Sequence, residues 1–164
     1  MKKNIILILL LGLLNTINSQ ENKINVLTTL GVSSPLLDGG VGLTFGVNPY
    51  KRLSKNIFLE GQLSYNYTKI NDSFINGYKG FYNSINALVG SRFYVIPETK
   101  KTRLYFNALL GLNYTNEKMD YNPNRIEMVG LGLSAGMFVS IKKINIGITY
   151  DTPQNPSFKL GYSF

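Results

Sequence analysis

Apolar and polar positions alternate with a period of two along most of the chain beyond Gln20. The clearest run extends from Val129 to Ile141, where Val, Leu, Ala, Met and Ile at odd positions oppose Gly, Ser and one Phe at even positions. A period of two is that of a β-strand, whose successive side chains point to opposite faces of a sheet. No later segment shows apolar residues at helical spacing. The pattern therefore predicts an all-β fold.

Eight runs of this kind follow one another, separated by turn-forming residues. They lie near residues 23–33, 40–48, 57–68, 80–95, 104–115, 129–141, 143–151 and 157–164. Asn48-Pro49, Asn122 to Asn124 and Lys142-Lys143 are among the residues that indicate turns. Eight strands without a linker predict one domain over residues 20–164, an eight-stranded antiparallel up-and-down β-barrel. The third to fifth runs are longer, and we expect them to project beyond the membrane on the outer side.

Residues 1–19 lie outside this pattern. Lys2 and Lys3 precede an apolar run, Ile5–Leu14, and polar residues follow as far as Ser19. This order is typical of a secretory signal peptide, and the run is too short to cross a bilayer as a helix. We therefore expect export and cleavage near Ser19, with a retained membrane anchor as the alternative.

Charge and cysteine content narrow the class of protein further. Loss of Lys2 and Lys3 lowers the formal net charge from +8 to +6. The remaining basic residues fall in short runs at connections, which indicates the flanks of membrane spans and not a nucleic-acid partner. The chain has no cysteine, so neither a disulfide nor a lipidated cysteine is possible.

The chemistry of the two strand faces distinguishes a membrane barrel from a soluble one. The apolar face is nearly continuous and free of charge, whereas the other face is mostly Gly, Ser, Thr, Asn and Gln. A soluble barrel would bury the apolar face and present many Lys and Glu on the other. Here the small polar face suits the filled interior of an eight-stranded barrel. The apolar face is therefore predicted to contact membrane lipids, and the sheet must close on itself.

Aromatic residues on the apolar face sort into two levels if odd strands run outward from the periplasm. The predicted outer level comprises Tyr65, Tyr67, Phe81, Tyr114, Tyr150 and Phe158. The predicted inner level comprises Phe45, Phe93, Phe106, Tyr162 and Phe164. Two aromatic belts around an aliphatic band are typical of a protein that crosses both membrane interfaces.

The last run alternates up to a terminal aromatic residue. Its apolar positions are Phe158, Leu160, Tyr162 and Phe164. This ending, with the signal peptide and the eight strands, resembles the outer-membrane β-barrel family that includes the OmpA membrane domain and OmpX. The resemblance covers the mature chain as a pattern and not as an aligned motif. It implies the bacterial outer membrane and recognition of the terminal residues by the barrel-assembly machinery; we also expect a monomer.

Charged residues on the inward face are few. If Thr68 lies opposite Gly80, Glu60 comes close to Arg92 at the periplasmic end of the lumen. Asp151 and Lys159 are predicted to form a second pair near the outer rim. Buried ion pairs with polar neighbours are the expected way to hold charge inside a closed barrel. A structural plug is the favoured interpretation, and a gate or proton path is the alternative.

Catalytic chemistry has little support in the residue types present. The chain has no histidine, which outer-membrane barrel enzymes generally use as a base or in a charge relay. Acidic residues in the predicted loops show no spacing that suggests a site; they are Asp72, Glu117, Asp120 and Glu127. The glycine-rich run Gly130–Gly136 opens no helix and indicates lumen packing, not a nucleotide loop. We expect no catalytic, cofactor or metal site.

These observations favour a non-enzymatic outer-membrane barrel with a structural or surface-interaction role, such as adhesion or recognition of an unknown surface ligand. The candidate contact regions are the outer loops Ile70–Gly80 and Asn116–Arg125, although both could be plain solvated connections. A small passive channel is the alternative function. A lipid-modifying enzyme is a third hypothesis, which the absence of histidine disfavours.

Overall fold

The computed structural model describes residues 24–33, 41–71, 79–96, 100–120, 122–153 and 155–164. The strands are β1 (Ile24–Ser33), β2 (Val41–Arg52), β3 (Ile57–Asn71), β4 (Lys79–Ile96), β5 (Thr102–Met119), β6 (Asn122–Ile141), β7 (Ile144–Asp151) and β8 (Asn155–Ser163). Each strand pairs antiparallel with its neighbours in sequence, and β8 pairs with β1 to close the barrel. The predicted eight-stranded up-and-down barrel is confirmed. The predicted signal peptide lies outside the described residues.

The side chains alternate between the lumen and the outside as the two faces predicted. Val129 and Leu131 on the outward face of β6 are 72% and 66% exposed, whereas Ser134 on its inward face is 2% exposed. Outward apolar residues are exposed on every strand, and a surface of this kind is stable against lipid and not against water. In the described ranges, no helix is both long enough and apolar enough to cross a bilayer.

The connections divide the barrel into two ends, named here the turn end and the loop end. At the turn end β2 is followed by β3, β4 by β5 and β6 by β7, and Ile24 and Phe164 also lie there. At the loop end β1 is followed by β2, β3 by β4, β5 by β6 and β7 by β8. The Lys142-Lys143 turn was predicted correctly.

The predicted turn at Asn48-Pro49 is wrong, because β2 continues to Arg52. Pro49 lies opposite Val26 of β1, and the pairing of β2 with β3 is interrupted between Val47 and Tyr50. A proline lacks the N–H that a strand ladder uses, and an interruption of the ladder accommodates it. The strand therefore passes through a dipeptide that in isolation favours a turn.

The predicted turn at Asn122 to Asn124 is also wrong, since β6 begins at Asn122. Only residues 120–121 connect β5 to β6, so most of the predicted outer loop Asn116–Arg125 is strand. In the other predicted loop, Ile70 and Asn71 end β3 while Lys79 and Gly80 begin β4; residues 72–78 lie outside the described ranges.

Strand length differs sharply around the barrel. Strands β3, β4, β5 and β6 contain 15, 18, 18 and 20 residues, whereas β7 and β8 contain 8 and 9. The last residue of β7, Asp151, lies opposite Ser134, so the first half of β6 extends past β7 at the loop end. We call this projecting part of β3–β6 the wall. The predicted greater length of the third to fifth strands is confirmed, and β6 is the longest of the described strands. Their projection beyond the membrane stays a prediction.

Candidate functional site: the lumen and the wall

Glu60 and Arg92 form a two-pronged ion pair inside the lumen near the turn end. Arg92 Nε donates to Glu60 Oε2 and Arg92 Nη2 donates to Glu60 Oε1, each at 2.9 Å. Both side chains are 0% exposed. Asn48 Nδ2 also donates to Glu60 Oε1, at 2.8 Å. A buried charge needs this degree of pairing, because an unpaired ion in a closed lumen would carry the full cost of lost hydration.

The registry that brings this pair together differs slightly from the predicted one. Thr68 lies opposite Tyr82, not opposite Gly80. A shift of two residues keeps every side chain on its predicted face, whereas a shift of one would have exchanged the faces. For this reason Glu60 and Arg92 still meet.

Five aromatic rings and one leucine close the lumen around the pair; we call this group the plug. Its members are Leu27, Tyr50, Phe58, Tyr94, Tyr105 and Phe138, one from each of β1 to β6. Neighbouring rings contact one another in strand order from Tyr50 to Phe138, with centroid separations of 6.0, 5.0, 5.1 and 5.1 Å. The Arg92 Cζ atom lies 3.9 Å from the Tyr50 ring centroid and 4.3 Å from that of Tyr105. Arg92 is thus held between two aromatic faces as well as by Glu60.

The plug was not predicted from the sequence, although a signal was present. Each of its aromatic residues occupies an inward position close to the turn end of its strand. Large side chains at one height in neighbouring strands indicate a closed layer. The premature end predicted for β2 hid this layer, because it left Tyr50 outside any strand.

Asp151 and Lys159 form a second buried ion pair, with 2.7 Å between Oδ2 and Nζ. Thr149 Oγ1 donates to the same carboxylate oxygen at 2.7 Å. Lys159 lies opposite Gly31 of β1 and Gly147 of β7, which leave room for its stem. Asp151 is at the loop-side end of β7, yet it faces Ser134 in the middle of the longer β6. The pair therefore lies inside the lumen, below the wall.

Inward polar side chains of β3, β4 and β5 hydrogen-bond to one another on the loop-end side of the ion pairs. Asn113 Nδ2 donates to Asn86 Oδ1 at 2.7 Å, and Thr115 Oγ1 donates to Asn113 Oδ1 at 2.7 Å. Asn66 Nδ2 donates to Ser84 Oγ at 3.2 Å. Such a filled interior is expected for eight strands, which enclose little space beyond their own side chains.

The outward aromatics lie as predicted in their facing but not all in their level. Tyr67 stacks with Phe81 at a centroid separation of 6.2 Å, and Phe93 lies opposite Phe106. Phe45, however, was predicted at the inner level and lies directly opposite Tyr65 of the outer level. The cause is again the end of β2, because a strand that continues to Arg52 places Phe45 in its loop-side half.

The remaining members of the predicted belts and the predicted assembly signal also face outward. They are Tyr114, Tyr150, Phe158, Leu160, Tyr162 and Phe164. Tyr162 and Phe164 contact each other at a ring separation of 5.1 Å at the turn end. Their role in barrel assembly stays a prediction.

The wall ends in an edge of β6. Leu133 is the last residue of β6 that bonds across to the β7 side, through the backbone and hydroxyl of Thr152. Beyond it, residues 126–132 have no strand partner on that side within the described part of the chain. Ile126 and Met128 lie on the lumen-facing side of this edge and are 40% and 51% exposed. An open strand edge with apolar side chains can pair with another chain.

Basic side chains cross the outward face of the wall. Lys69 of β3 and Lys118 of β5 lie on either side of Phe81 of β4, each directly opposite it in the ladder. Arg125 of β6 contributes to the same surface, in a shallow pocket with Phe81 and Tyr114. This row lies just beyond the outer aromatic residues.

The described acidic side chains do not gather into one cluster. Across the described ranges, no three side chains of the His, Cys, Asp and Glu types come together as metal ligands would. Glu117, Asp120 and Glu127 lie at or near the tip of the wall, and Asp72 lies outside the described residues. Within the glycine-rich run, a Cβ on Gly136 would meet its ladder neighbours Thr149 and Asn107, whereas a Cβ on Gly130 would meet nothing within 4 Å. Packing therefore accounts for Gly136 and not for Gly130.

The closed sheet, the apolar outer surface and the polar lumen together define a transmembrane β-barrel. No family model matches the sequence, and no curated protein sequence matches it. Among solved structures, the chain is similar to the attachment invasion locus protein, Ail, of Yersinia pestis in complex with the heparin analogue sucrose octasulfate. That similarity has a TM-score of 0.55 at 14% identity, over 86% of this chain and 96% of Ail.

Two further structures belong with this comparison. Ail without that ligand gives a TM-score of 0.54 at 14% identity, over the same shares of the two chains. The N-terminal β-barrel domain of Pseudomonas aeruginosa OprF gives 0.48 at 11% identity, over 87% of this chain and 99% of that domain. At these identities the likeness to Ail is one of fold. The predicted resemblance to small outer-membrane barrels is confirmed at that level.

Proposed function

We propose that this chain is a non-enzymatic protein of the bacterial outer membrane that binds a partner outside the cell through its wall. The observation that carries the proposal is the projection of β3–β6 past β7, β8 and β1. Strands longer than a bilayer requires have no structural purpose in lipid, since about 9–11 residues suffice to cross it. The additional length instead presents a rigid surface to the surroundings.

The orientation follows from the two ends of the barrel. The expected signal peptide precedes β1. The first residue of β1 and the last residue of β8 both lie at the turn end. We therefore place the turn end in the periplasm and the loop end outside the cell. Membrane lipids and the barrel-assembly machinery are the partners expected during insertion.

The open edge of β6 supports recognition of an extended polypeptide. In the described part of the chain, residues 126–132 have no strand partner on the β7 side, and their backbone groups on that side can form a ladder with an added strand. Ile126 and Met128 on one face and Val129 and Leu131 on the other would contact alternate side chains of that strand. The specificity of such binding comes from the side chains, whereas the backbone supplies most of the hydrogen bonds.

The basic row supports a second candidate, recognition of a sulfated or phosphorylated polyanion. Lys69 and Lys118 flank Phe81, and Arg125 lies beside them. The Ail structure contains a heparin analogue, which makes heparin and sucrose octasulfate suitable probes for this chain.

Shortening the wall tests the surface role as a whole. Asn116 and Glu127 are directly opposite each other, so replacing Glu117–Ile126 by Asn-Gly joins them through a two-residue hairpin turn. We expect the shortened barrel to fold, as judged by heat-modifiable migration on a gel. Intact cells that carry it should bind both probes more weakly, because the deletion removes Lys118, Arg125 and one end of the β6 edge. The probes are immobilised heparin and a carboxymethylated protein that stays unfolded. Undiminished binding to both by the shortened barrel would contradict a role for the wall.

Two matched variants separate the two candidates. Ile126→Lys with Met128→Lys blocks the edge, since lysine on an edge strand opposes strand addition, and should abolish binding of the unfolded protein only. Lys69→Gln with Lys118→Gln removes charge from the outward face and should weaken heparin binding only. Failure of the wild-type barrel to bind either probe would remove both candidates.

The plug weakens the alternative of a passive channel. Arg92, Glu60 and the rings of Tyr50 and Tyr105 occupy the lumen near the turn end. We therefore expect no discrete conductance steps from the folded barrel in planar bilayers. Discrete openings that change on Arg92→Ala would instead support a channel.

A further inference from the structure

Basic residues lie at three of the four corners of the turn end, at the β2–β3, β4–β5 and β6–β7 connections, and we call them the collar. They are Lys51, Arg52, Lys55, Lys100, Lys101, Arg103, Lys142 and Lys143. They come from all three turns at this end and from the strand residues beside them. The described part of the chain places no acidic side chain among them, because Glu60 lies inside the lumen and is paired with Arg92. Glu98 lies outside the described residues.

The loop end has a different balance of charge. Its outermost strand residues carry four basic side chains, and three acidic side chains lie close by. The basic residues are Lys69, Lys79, Lys118 and Arg125, and the acidic ones are Glu117, Asp120 and Glu127. Asn116 of β5 donates a hydrogen bond to Glu127 there. The excess of positive charge is therefore a property of the turn end and not of the whole surface.

The depth of the collar matches that of lipid headgroups. Outward apolar residues flank its cations directly: Leu53 and Ile57 on either side of Lys55, and Ile141 and Ile144 on either side of Lys142-Lys143. Lys143 Nζ lies 5.7 Å from the ring centroid of Tyr162, an outward residue of the inner aromatic level. Lysine stems can lie along apolar surface while the ammonium group reaches the polar layer.

One collar residue is kept at a backbone cost. Lys142 has a φ of 56°, in the left-handed region where glycine or asparagine is favoured. Arg52 and Arg103 are fixed at the rim by bonds to turn carbonyls: Arg52 Nε donates to Ser54 O at 3.1 Å, and Arg103 Nη2 donates to Lys142 O. Both arginines occupy inward positions of their strands, and Arg103 Nη2 also donates to Ser140 Oγ at 2.9 Å, so the lysines are the collar residues that can reach the surrounding lipid.

We propose that the collar binds the anionic headgroups of phospholipids in the leaflet around the turn end. The cations lie at three of the four corners of the turn end and so meet the lipid annulus from several sides, whereas a protein partner would need a one-sided patch. Anionic lipid attracts basic residues near the membrane surface, and the attraction falls within a Debye length. The barrel therefore selects phosphatidylglycerol-type lipids over zwitterionic ones in its first lipid shell.

Lipid selectivity can be measured on the full folded barrel in phosphatidylcholine vesicles that contain a trace of spin-labelled lipid. The motionally restricted fraction in the electron paramagnetic resonance spectrum reports lipid bound to the protein. We expect spin-labelled phosphatidylglycerol to be preferred over spin-labelled phosphatidylcholine by about fivefold. A preference of this size corresponds to the attraction between one basic residue and an anionic membrane surface. Added salt should reduce the preference, because the attraction is screened.

The collar variant replaces Lys100, Lys101, Lys142 and Lys143 by Gln, and its control replaces the same four residues by Arg. The first removes four positive charges, whereas the second keeps them. The preference should fall close to one in the collar variant and persist in the control. If the collar variant does not fold, Lys100→Gln with Lys101→Gln provides a milder version and should lose part of the preference.

Three outcomes would overturn the proposal. The first is no lipid preference in the wild-type barrel, and the second is an equal loss in the collar variant and the control. The third is binding of soluble polyphosphate by the collar in detergent without any lipid preference in vesicles, which would assign the collar to a soluble polyanion.

Discussion

The turn end and the loop end of this barrel share the same strands and the same alternation of side chains, but they differ in whether the inward side chains are buried. At the turn end, inward positions carry large rings that contact one another and surround a buried ion pair. At the loop end, inward positions of β6 carry Ile126, Met128 and Gly130. They are exposed because, among the described residues, no strand pairs with this part of β6 on the β7 side. An inward position is therefore a core position only where the barrel is complete around it.

This difference separates stability from recognition. Close packing and paired charge at the turn end resist change, because any altered side chain meets neighbours that cannot move away. The wall has few such neighbours on its open side and can accept substitution without loss of the fold. A surface that contacts partners is thus placed on a scaffold that is held together elsewhere.

The largest effect should come from breaking the buried pair at the turn end. Arg92→Ala leaves Glu60 charged and unpaired, and we expect the free energy of unfolding to fall by about 3–5 kcal/mol. Urea titration of the folded barrel in detergent, followed by heat-modifiable migration, measures this change.

The matched control for Arg92→Ala removes both charges. Glu60→Leu with Arg92→Met should recover most of the lost stability, because neither charge then remains buried. If the double variant is as unstable as the single one, the loss comes from packing of the plug and not from an unpaired charge.

A smaller effect should follow from adding one methyl group at each end. A Cβ on Gly147 would meet the Phe138 ring of the plug and the Met137 carbonyl, whereas a Cβ on Gly130 would meet nothing within 4 Å. We expect Gly147→Ala to lower the free energy of unfolding by about 1–3 kcal/mol. Gly130→Ala should change it by no more than about 0.5 kcal/mol. Equal losses in the same urea titration would show that the two ends are packed alike.

The smallest effect concerns the two-residue turn at the turn end. Lys142→Gly relieves the left-handed strain at φ 56° and should raise the free energy of unfolding by about 0.5–1 kcal/mol. Lys143→Gly is the control and should not raise the free energy of unfolding. Among the described non-glycine residues a positive φ is found at Lys142 and not at Lys143, so glycine relieves no strain at position 143. A loss of stability in Lys142→Gly would mean that the lysine side chain stabilises the turn more than its backbone strains it.

The errors of the sequence analysis have a common origin in local turn signals. Asn48-Pro49 and Asn122 to Asn124 have the composition of turns, yet both lie in strands. In each case a neighbouring strand continues alongside, as β1 does opposite Pro49, and its hydrogen bonds outweigh the local preference. The wrong end of β2 then placed Phe45 at the wrong level and concealed Tyr50 as a member of the plug.

The contact between Glu60 and Arg92 was predictable for a different reason. Both residues occupy inward positions of two strands that form a hairpin, so any registry of the correct parity brings them near each other. The contact of Asp151 with Lys159 follows in the same way from the β7–β8 hairpin. By contrast, the plug combines residues from six strands, and no hairpin by itself brings them together.

The sequence by itself determined the number of strands, the face that each side chain occupies and the side of the sheet that meets lipid, because alternation with period two is a local property of a strand. Only the tertiary structure decided where β2 ends, which rings close the lumen and which edge of β6 stays open. Those features depend on the registry around the whole closed sheet, where every strand is positioned by two neighbours and not by its own residues alone.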